Sequence, residues 1–321
     1  MNNIDINQYF IDLDEEIEEI EPIYSIEGVP VFSKGNISTI IGRQKAGKGF
    51  LNSLFISEIL KDNENATVLI CDTEQAKSHV IKAAKRIPRL LECETSDIKD
   101  RLKILKLREL PFGERMNVIE AAILEINPTF CVIDGARDLL GDINNSKESS
   151  ELVGRLMKLS TDCNNHICVV LHMNKTDFNA RGHLGTELLN KSETVISIMK
   201  DKRTKIMRVS PVDCRNIDFK EFFFKINNLG LPELCEPPIK PKNTDEIELL
   251  FDGLLPENVF LTYVDLHKKI METCNIKKTA AENKIKAATE QGLISKNAGR
   301  YYRAAEQEEQ ENFDFTDELP D

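Results

Sequence analysis

IIGRQKAGKGFLNSLFISEIL, residues 40–60, is the stretch on which the fold turns. It passes from apolar, β-branched residues through a glycine-rich segment into helical spacing. The segment 42–49 almost matches G-x-x-x-x-G-K-[ST], a loop whose backbone cradles phosphates. Gly42, Gly47 and Lys48 are in place, and Gly49 stands where a hydroxyl residue is usual. Such a loop needs a buried strand before it and a helix after it, because backbone N–H groups and the helix dipole must both face the anion. ISTIIG (37–42) and FLNSLFISEIL (50–60) predict that context. Gly42 and Gly47 are expected to permit the tight turn. Arg43, Gln44, Lys45, Ala46, Gly49 and Phe50 complete the nucleotide-binding segment, and Lys48 reaches the β- and γ-phosphates. A glycine-rich turn with one surface lysine is the alternative.

Three more apolar runs follow: TVLICD (67–72), FCVIDG (130–135) and ICVVLH (167–172). Near-continuous β-branched runs are how strands of a parallel sheet buried on both faces read. AKSHVIKAAKRIPRLL and ELVGRLMKLSTDC, between them, have helical spacing. Alternating strand and helix predicts an α/β fold with a mainly parallel central sheet. TVISIMKD, KIMRVSP and EFFFKINN read as shorter strands, hairpin-like at the sheet's edge.

Chain length and charge shape the rest. At 321 residues the chain suggests about two domains. No run reaches the ~18 apolar residues of a membrane span, so no membrane partner is expected. The acidic N-terminus does not read as a leader. Eight scattered cysteines, with no C-x-x-C, predict a cytoplasmic protein without a zinc site. The net charge of −12 argues against general nucleic-acid affinity but leaves room for a local basic patch. The expected layout is an acidic arm (1–24), a core (25–230), a Pro-rich linker (231–254), a small helical domain (255–305) and an acidic tail (306–321).

Strand ends carry the candidate chemistry, since ligands of open α/β sheets sit at the carboxyl ends. Asp134 ends FCVID, where a carboxylate can hold magnesium directly or through water. Asp72 and Glu74 end VLICDTEQ, and Glu74 suits a general base that orients a water. His172 ends ICVVLH beside Asn174 and Lys175, where a neutral imidazole would report a γ-phosphate. Singly, each is as well read as a polar group facing solvent. Together they follow consecutive strands.

The order of loop, D-T-E-Q, V-I-D-G and L-H-x-N-K resembles RecA-like P-loop ATPases, and within them most closely the DnaB/RepA-type helicase branch. ARGHLGTELLNKSETVISI (180–198) and the downstream CRN are similar to AAA-family ATPases of bacterial mobile elements. The resemblance covers residues 23 to 228. It implies a RecA-like core using ATP and Mg2+. It also implies a homo-oligomer, with a hexameric ring as one form, and replication or mobilisation proteins as partners. By the same resemblance Lys48 binds phosphate, Glu74 is the catalytic carboxylate, Asp134 the Walker B aspartate and His172 the sensor. Arg215, in VDCRN, fits an arginine finger offered to a neighbouring subunit, although Asp213 stands where the pattern has a lysine.

Gly49 removes a hydroxyl that normally ligates Mg2+. A water can fill that position, because magnesium keeps several waters. Ser53, one turn on, looks too remote to replace it. Slowed hydrolysis with nucleotide binding preserved is the expectation.

Two loops and one end-piece are candidates for DNA. The resemblance places DNA at loops after the third and fourth core strands, here 135–150 and 174–187, the second holding Lys175, Arg181 and His183. Loops that merely close over nucleotide read equally well. Residues 257–303 hold nine Lys/Arg against five acids, a local excess of four. Their order of helix, helix and short hairpin predicts a winged helix-turn-helix. Lys277 and Lys278 would precede its recognition helix, Asn283 and Lys286 would lie on the open face, and Arg300, Tyr301, Tyr302 and Arg303 would form a wing. A protein-docking module is the alternative.

Two functions fit: a DNA-acting ATPase motor serving a mobile element, or an ATP-gated DNA-binding regulator with weak hydrolysis. A small-molecule kinase fits the Glu74 position less well.

Overall fold

The computed structural model describes residues 6, 10–14, 21–173, 182–201, 203–238, 244–256, 259–297 and 299–304. It divides into two compact units, Met1–Pro238 and Ile239–Asp321. Asn174, Lys175, Arg181 and the tail 306–321 lie outside the described residues. No helix among the described residues is long and apolar enough to cross a membrane.

The first unit opens with a hairpin, β1 (Pro22–Ile26) and β2 (Val29–Ser33). Its two-residue turn, Glu27 (φ 48°) and Gly28 (φ 81°), has the paired positive φ values that match strand twist. The acidic arm expected to reach residue 24 therefore gives way to a strand at Pro22. The acidic run had masked that strand's apolar residues.

The elements that follow are β3 (Asn36–Gly42), α1 (Lys48–Asp62), β4 (Val68–Asp72), α2 (Lys77–Ala84), α3 (Arg86–Leu90), α4 (Thr95–Ile98), β5 (Leu102–Lys106) and α5 (Phe112–Ile126). Then come β6 (Phe130–Asp134), α6 (Ser146–Asp162), β7 (His166–His172), α7 (Gly182–Lys191), β8 (Thr194–Lys200), β9 (Met207–Cys214), β10 (Phe222–Ile226) and β11 (Pro232–Cys235). One nine-stranded sheet has the order β11-β10-β9-β8-β3-β7-β6-β4-β5. From β8 to β5 every pairing is parallel, while β9, β10 and β11 extend the sheet antiparallel. The fold is α/β, with a mixed and mostly parallel sheet.

Helices cover both faces, which is why the parallel strands read as unbroken apolar runs. On one face Leu51, Phe55, Ile56, Ile59 and Leu60 of α1 pack with Ile40, Val68, Val132 and Val170. These positions recur at helical spacing, and each fully buried large side chain contributes about 2 kcal/mol. On the other face α5, α6 and α7 bury Ile119, Ile123, Leu156 and Leu188 against Ile41, Cys71, Ile133 and Val169. Cys71, Cys131 and Cys168 are fully buried, as small apolar residues are.

Three expectations need correction. TVISIMKD is not an edge hairpin strand: β8 lies inside the sheet, parallel to β3 and antiparallel to β9. The 231–254 segment is not irregular throughout, although the boundary between the two units falls within it, after Pro238. Pro232 starts β11, an edge strand, where a missing N–H costs no ladder bond. Thr244–Leu254 is α8, with Ile247 and Phe251 buried one turn apart. Residues 135–150 are not an open loop either. They hold a 3-10 turn (Ala136–Leu139), buried Leu139, Leu140 and Ile143, and the start of α6 capped by Asn145.

The second unit follows α8 with β12 (Leu261–Thr262), α9 (Tyr263–Cys274), α10 (Lys278–Glu290), β13 (Ile294–Asn297) and β14 (Arg300–Arg303). Its small sheet has the order β12-β14-β13. Its core includes Phe251, Leu266, Ile270, Ala281, Ile285 and Ala288, so one face of α10 is buried as its spacing predicts.

Candidate nucleotide site

The crevice follows from the connections. The helix after β3 packs on one face of the sheet and the helix after β7 on the other. These two strands are neighbours, so their carboxyl ends open onto a gap. In the register Gly42 pairs with His172, and Asp72 pairs with Asp134. Asp134 is level with Val170, so the two pairs are offset by two residues at the same end of the sheet.

Gly42 is required for a different reason from the one its motif suggests. It closes β3, and a Cβ there would sit 2.7 Å from Ile198 Cγ2 and 2.8 Å from Ile198 O. Close approach of β8 demands the glycine. Gly47 makes the turn, with φ 99°, as the residue before α1. Lys45 also has positive φ, 59°. Among the described residues, the N–H groups of Gly47, Lys48 and Gly49 have no hydrogen-bond partner, and no acid stands in the first turn of α1. Uncapped N–H groups at the start of a 15-residue helix suit an anion.

Lys48 is buried, and its ammonium donates to Gly42 O (3.1 Å), Arg43 O (3.0 Å) and His172 Nδ1 (2.9 Å). Burial lowers its pKa, and Asp134 and Glu74 oppose that shift. His172 Nε2 faces Glu74 Oε1 at 3.6 Å. Glu74 is held below the usual carboxylate range, first by His172 and then by Lys48 and Arg137, against the effect of burial.

Asp72 is a structural group. Its Oδ1 accepts from Glu74 N (3.0 Å) and Gln75 N (2.7 Å), and its Oδ2 from Gln75 Nε2 (2.8 Å). That turn presents Glu74. Thr73 Oγ1 donates to Gly135 O at 2.8 Å, pinning the same turn to the end of β6. Gly135 has φ 99°, and a Cβ on it would fall 2.2 Å from Thr73 Oγ1 and 2.7 Å from Glu74 Cγ. The glycine of V-I-D-G leaves room for Glu74.

Asp134 is pushed up to about 6, chiefly by burial and then by Asp72 and Glu74. Its carboxylate has no hydrogen bond among the described residues. No cluster of three His, Cys, Asp or Glu among them is arranged to hold a metal. A cation at Asp134 would need further ligands from a bound anion, which is how magnesium is held beside phosphates.

Lys48, Gly49, Glu74, Asp134 and His172 line one cavity of about 510 Å3. Arg215 is not among them. It is exposed, follows β9, and donates from Nη2 to Lys191 O at 2.9 Å. Cys214 pairs with Thr194, which is level with Ser38, whereas Gly42 is level with Ile198. Arg215 thus stands at the opposite end of the sheet, roughly 13 Å away along the strands. Sequence reading missed Thr73, Asn52, and Arg86, whose guanidinium lies 3.8 Å over the Phe50 ring. Only Thr73 carried a signal, its place inside D-T-E-Q.

In the second unit Lys277, Lys278, Asn283, Lys286 and Arg300 are exposed. Lys277 precedes α10 without a side-chain capping bond, and Lys286 approaches Glu290 at 3.9 Å. Arg303 lies in β14 of the hairpin and is tied to Asp252 at 2.5 Å and to Glu248 at 3.6 Å.

No protein-family model matches the chain. No curated protein matches it either.

Proposed function

We propose that this protein is a RecA-like P-loop ATPase of the DnaB/RepA-type branch, which binds ATP with Mg2+, hydrolyses it slowly and acts on DNA for a mobile element. One observation carries the reading: Lys48 and Gly47–Gly49, whose backbone N–H groups have no partner among the described residues, line a single cavity with Glu74, Asp134 and His172. Bound Mg-ATP would supply the transferable phosphoryl group and the metal's neutralising charge. The N–H groups of Gly47–Gly49 and Lys48 hold phosphate oxygens. Asp134 would hold the cation side, and Glu74 would accept the proton of a water whose oxygen bonds to the γ-phosphorus as the β–γ bridge bond breaks and ADP leaves. His172 joins Lys48 to Glu74, so it couples phosphate binding to the base. Arg215 stands away from this cavity, so its role as an arginine finger requires a homo-oligomer whose neighbour supplies it.

α9, α10 and the β13–β14 hairpin fit a winged helix-turn-helix, and the exposed lysines of α10 suit phosphate contacts. Gly49 favours a second reading, an ATP-gated DNA-binding regulator with weak hydrolysis. Steady-state ATPase rates with and without single-stranded DNA, alongside oligomeric mass with an ATP analogue, decide between the two. DNA-stimulated turnover and strand displacement support the motor. Nucleotide-dependent duplex binding without turnover supports the regulator. Absence of nucleotide binding sinks both.

A further inference from the structure

Asn52 has no part in the reading above. It sits on α1 one turn after Lys48 and three residues after Gly49, so all three share a side of the helix. The residue is only 7% exposed, and its Oδ1 is closed off from solvent with no hydrogen-bond partner among the described residues. It lines the same cavity as Gly49, Glu74 and Asp134. An unpaired buried carboxamide oxygen costs about 1–3 kcal/mol, and such groups are rare enough to require a reason.

Its neighbours sharpen the question. Gly49 offers no side chain, and a Cβ there would meet nothing within 4 Å. Ser53, the nearest hydroxyl along the helix, donates to Gly49 O at 2.9 Å and is committed to the backbone. Asn52 is the polar group left beside the place where the motif's hydroxyl is missing.

We propose that the Asn52 carboxamide, turned by half a rotation so that its oxygen faces the cavity, takes over the work of that hydroxyl by accepting a hydrogen bond from a water of nucleotide-bound Mg2+. The inference rests on the P-loop reading. It requires only an acceptor, because magnesium gives up its waters reluctantly and is commonly held through them. A carboxamide reaches further than a hydroxyl, which suits a position one turn deeper.

The test titrates Mg2+ against binding of a fluorescent ADP analogue to the full chain. In Asn52→Leu and Asn52→Ala the half-saturating Mg2+ concentration should rise about tenfold, as expected for one lost hydrogen bond. Binding in EDTA should match the parent. Both variants should melt no lower than the parent, because an unpaired oxygen contributes no native bond. Adding Gly49→Ser to Asn52→Leu should restore the Mg2+ dependence. An unchanged Mg2+ midpoint overturns the proposal, as does an equal loss of binding with and without Mg2+. Failure of the P-loop reading looks different: Lys48→Met would then bind the analogue as well as the parent does.

Discussion

Lys48 Nζ and His172 Nδ1 lie 2.9 Å apart, and that contact sets the form of the imidazole. An ammonium only donates, so Nδ1 accepts and the ring proton of the neutral form sits on Nε2. Nε2 faces Glu74 Oε1 at 3.6 Å. The imidazole therefore lies between Lys48 and Glu74, the proposed phosphate contact and the proposed base. Lys48→Met keeps the aliphatic stem and removes the charge. Loss of charge-assisted bonds of about 1.5–3 kcal/mol should weaken ATP binding at least ~10- to 100-fold, measured by calorimetry. Unchanged affinity would sink the assignment of the loop.

Gly135→Ala tests how Glu74 is presented. The new Cβ would need φ 99° and would fall 2.2 Å from Thr73 Oγ1. Strain and clash together should cost at least ~2 kcal/mol in chemical unfolding. Turnover should fall further than nucleotide binding, since the displaced turn carries Glu74 and not Lys48. A variant of parental stability would show that the β6 end has slack.

Arg215→Ala should spare nucleotide binding and lower turnover ~10³-fold, the scale of a lost arginine finger. Mixing it with Lys48→Met protein should recover part of the rate through hybrid interfaces. If no ratio recovers activity, Arg215 serves only the end of α7, where it already binds Lys191 O.

His166 should give the core a pH-dependent stability. Its Nδ1–H donates to Ser33 O at 2.8 Å and its Nε2 accepts from Ser38 Oγ at 2.8 Å. Burial pushes its pKa down to about 4 from 6.5, so the ring is neutral and Glu193, 3.9 Å away, does not form an ion pair with it. The unfolded chain binds this proton first as pH falls. The contribution is complete above pH ~6.5 and is lost towards pH ~4, a change of roughly 3 kcal/mol. The stability gap between the parent and His166→Asn should narrow by about that amount between pH 7 and pH 4. A gap independent of pH would mean that the ring is not held neutral.

Sequence alone determined the four strands that end in the site, α1, the buried face of α10, and the loop around Lys48. Each is written in a short window, because period and glycine placement are local properties. β5 and α5 escaped that reading. LKILK intersperses two lysines among three apolar residues at the open edge of the sheet, and α5 begins after a proline with no side-chain cap. Pro232 misled because its ring is harmless on an edge strand, and whether a strand is an edge is settled by its neighbours.

Tertiary structure alone decided the order β3-β7-β6-β4. Parallel partners lie far apart in the chain and carry no local mark of which will pair. That order sets Gly42 beside His172 and Asp72 beside Asp134, and it leaves Arg215 at the other end. It also turned Asp72 inward as the brace of Glu74, made Gly42 a spacer for Ile198, and left Asn52 unpaired beside Gly49. Hydrophobic pattern states that a residue is buried. What it is buried against follows only when strands distant in the chain are hydrogen-bonded side by side.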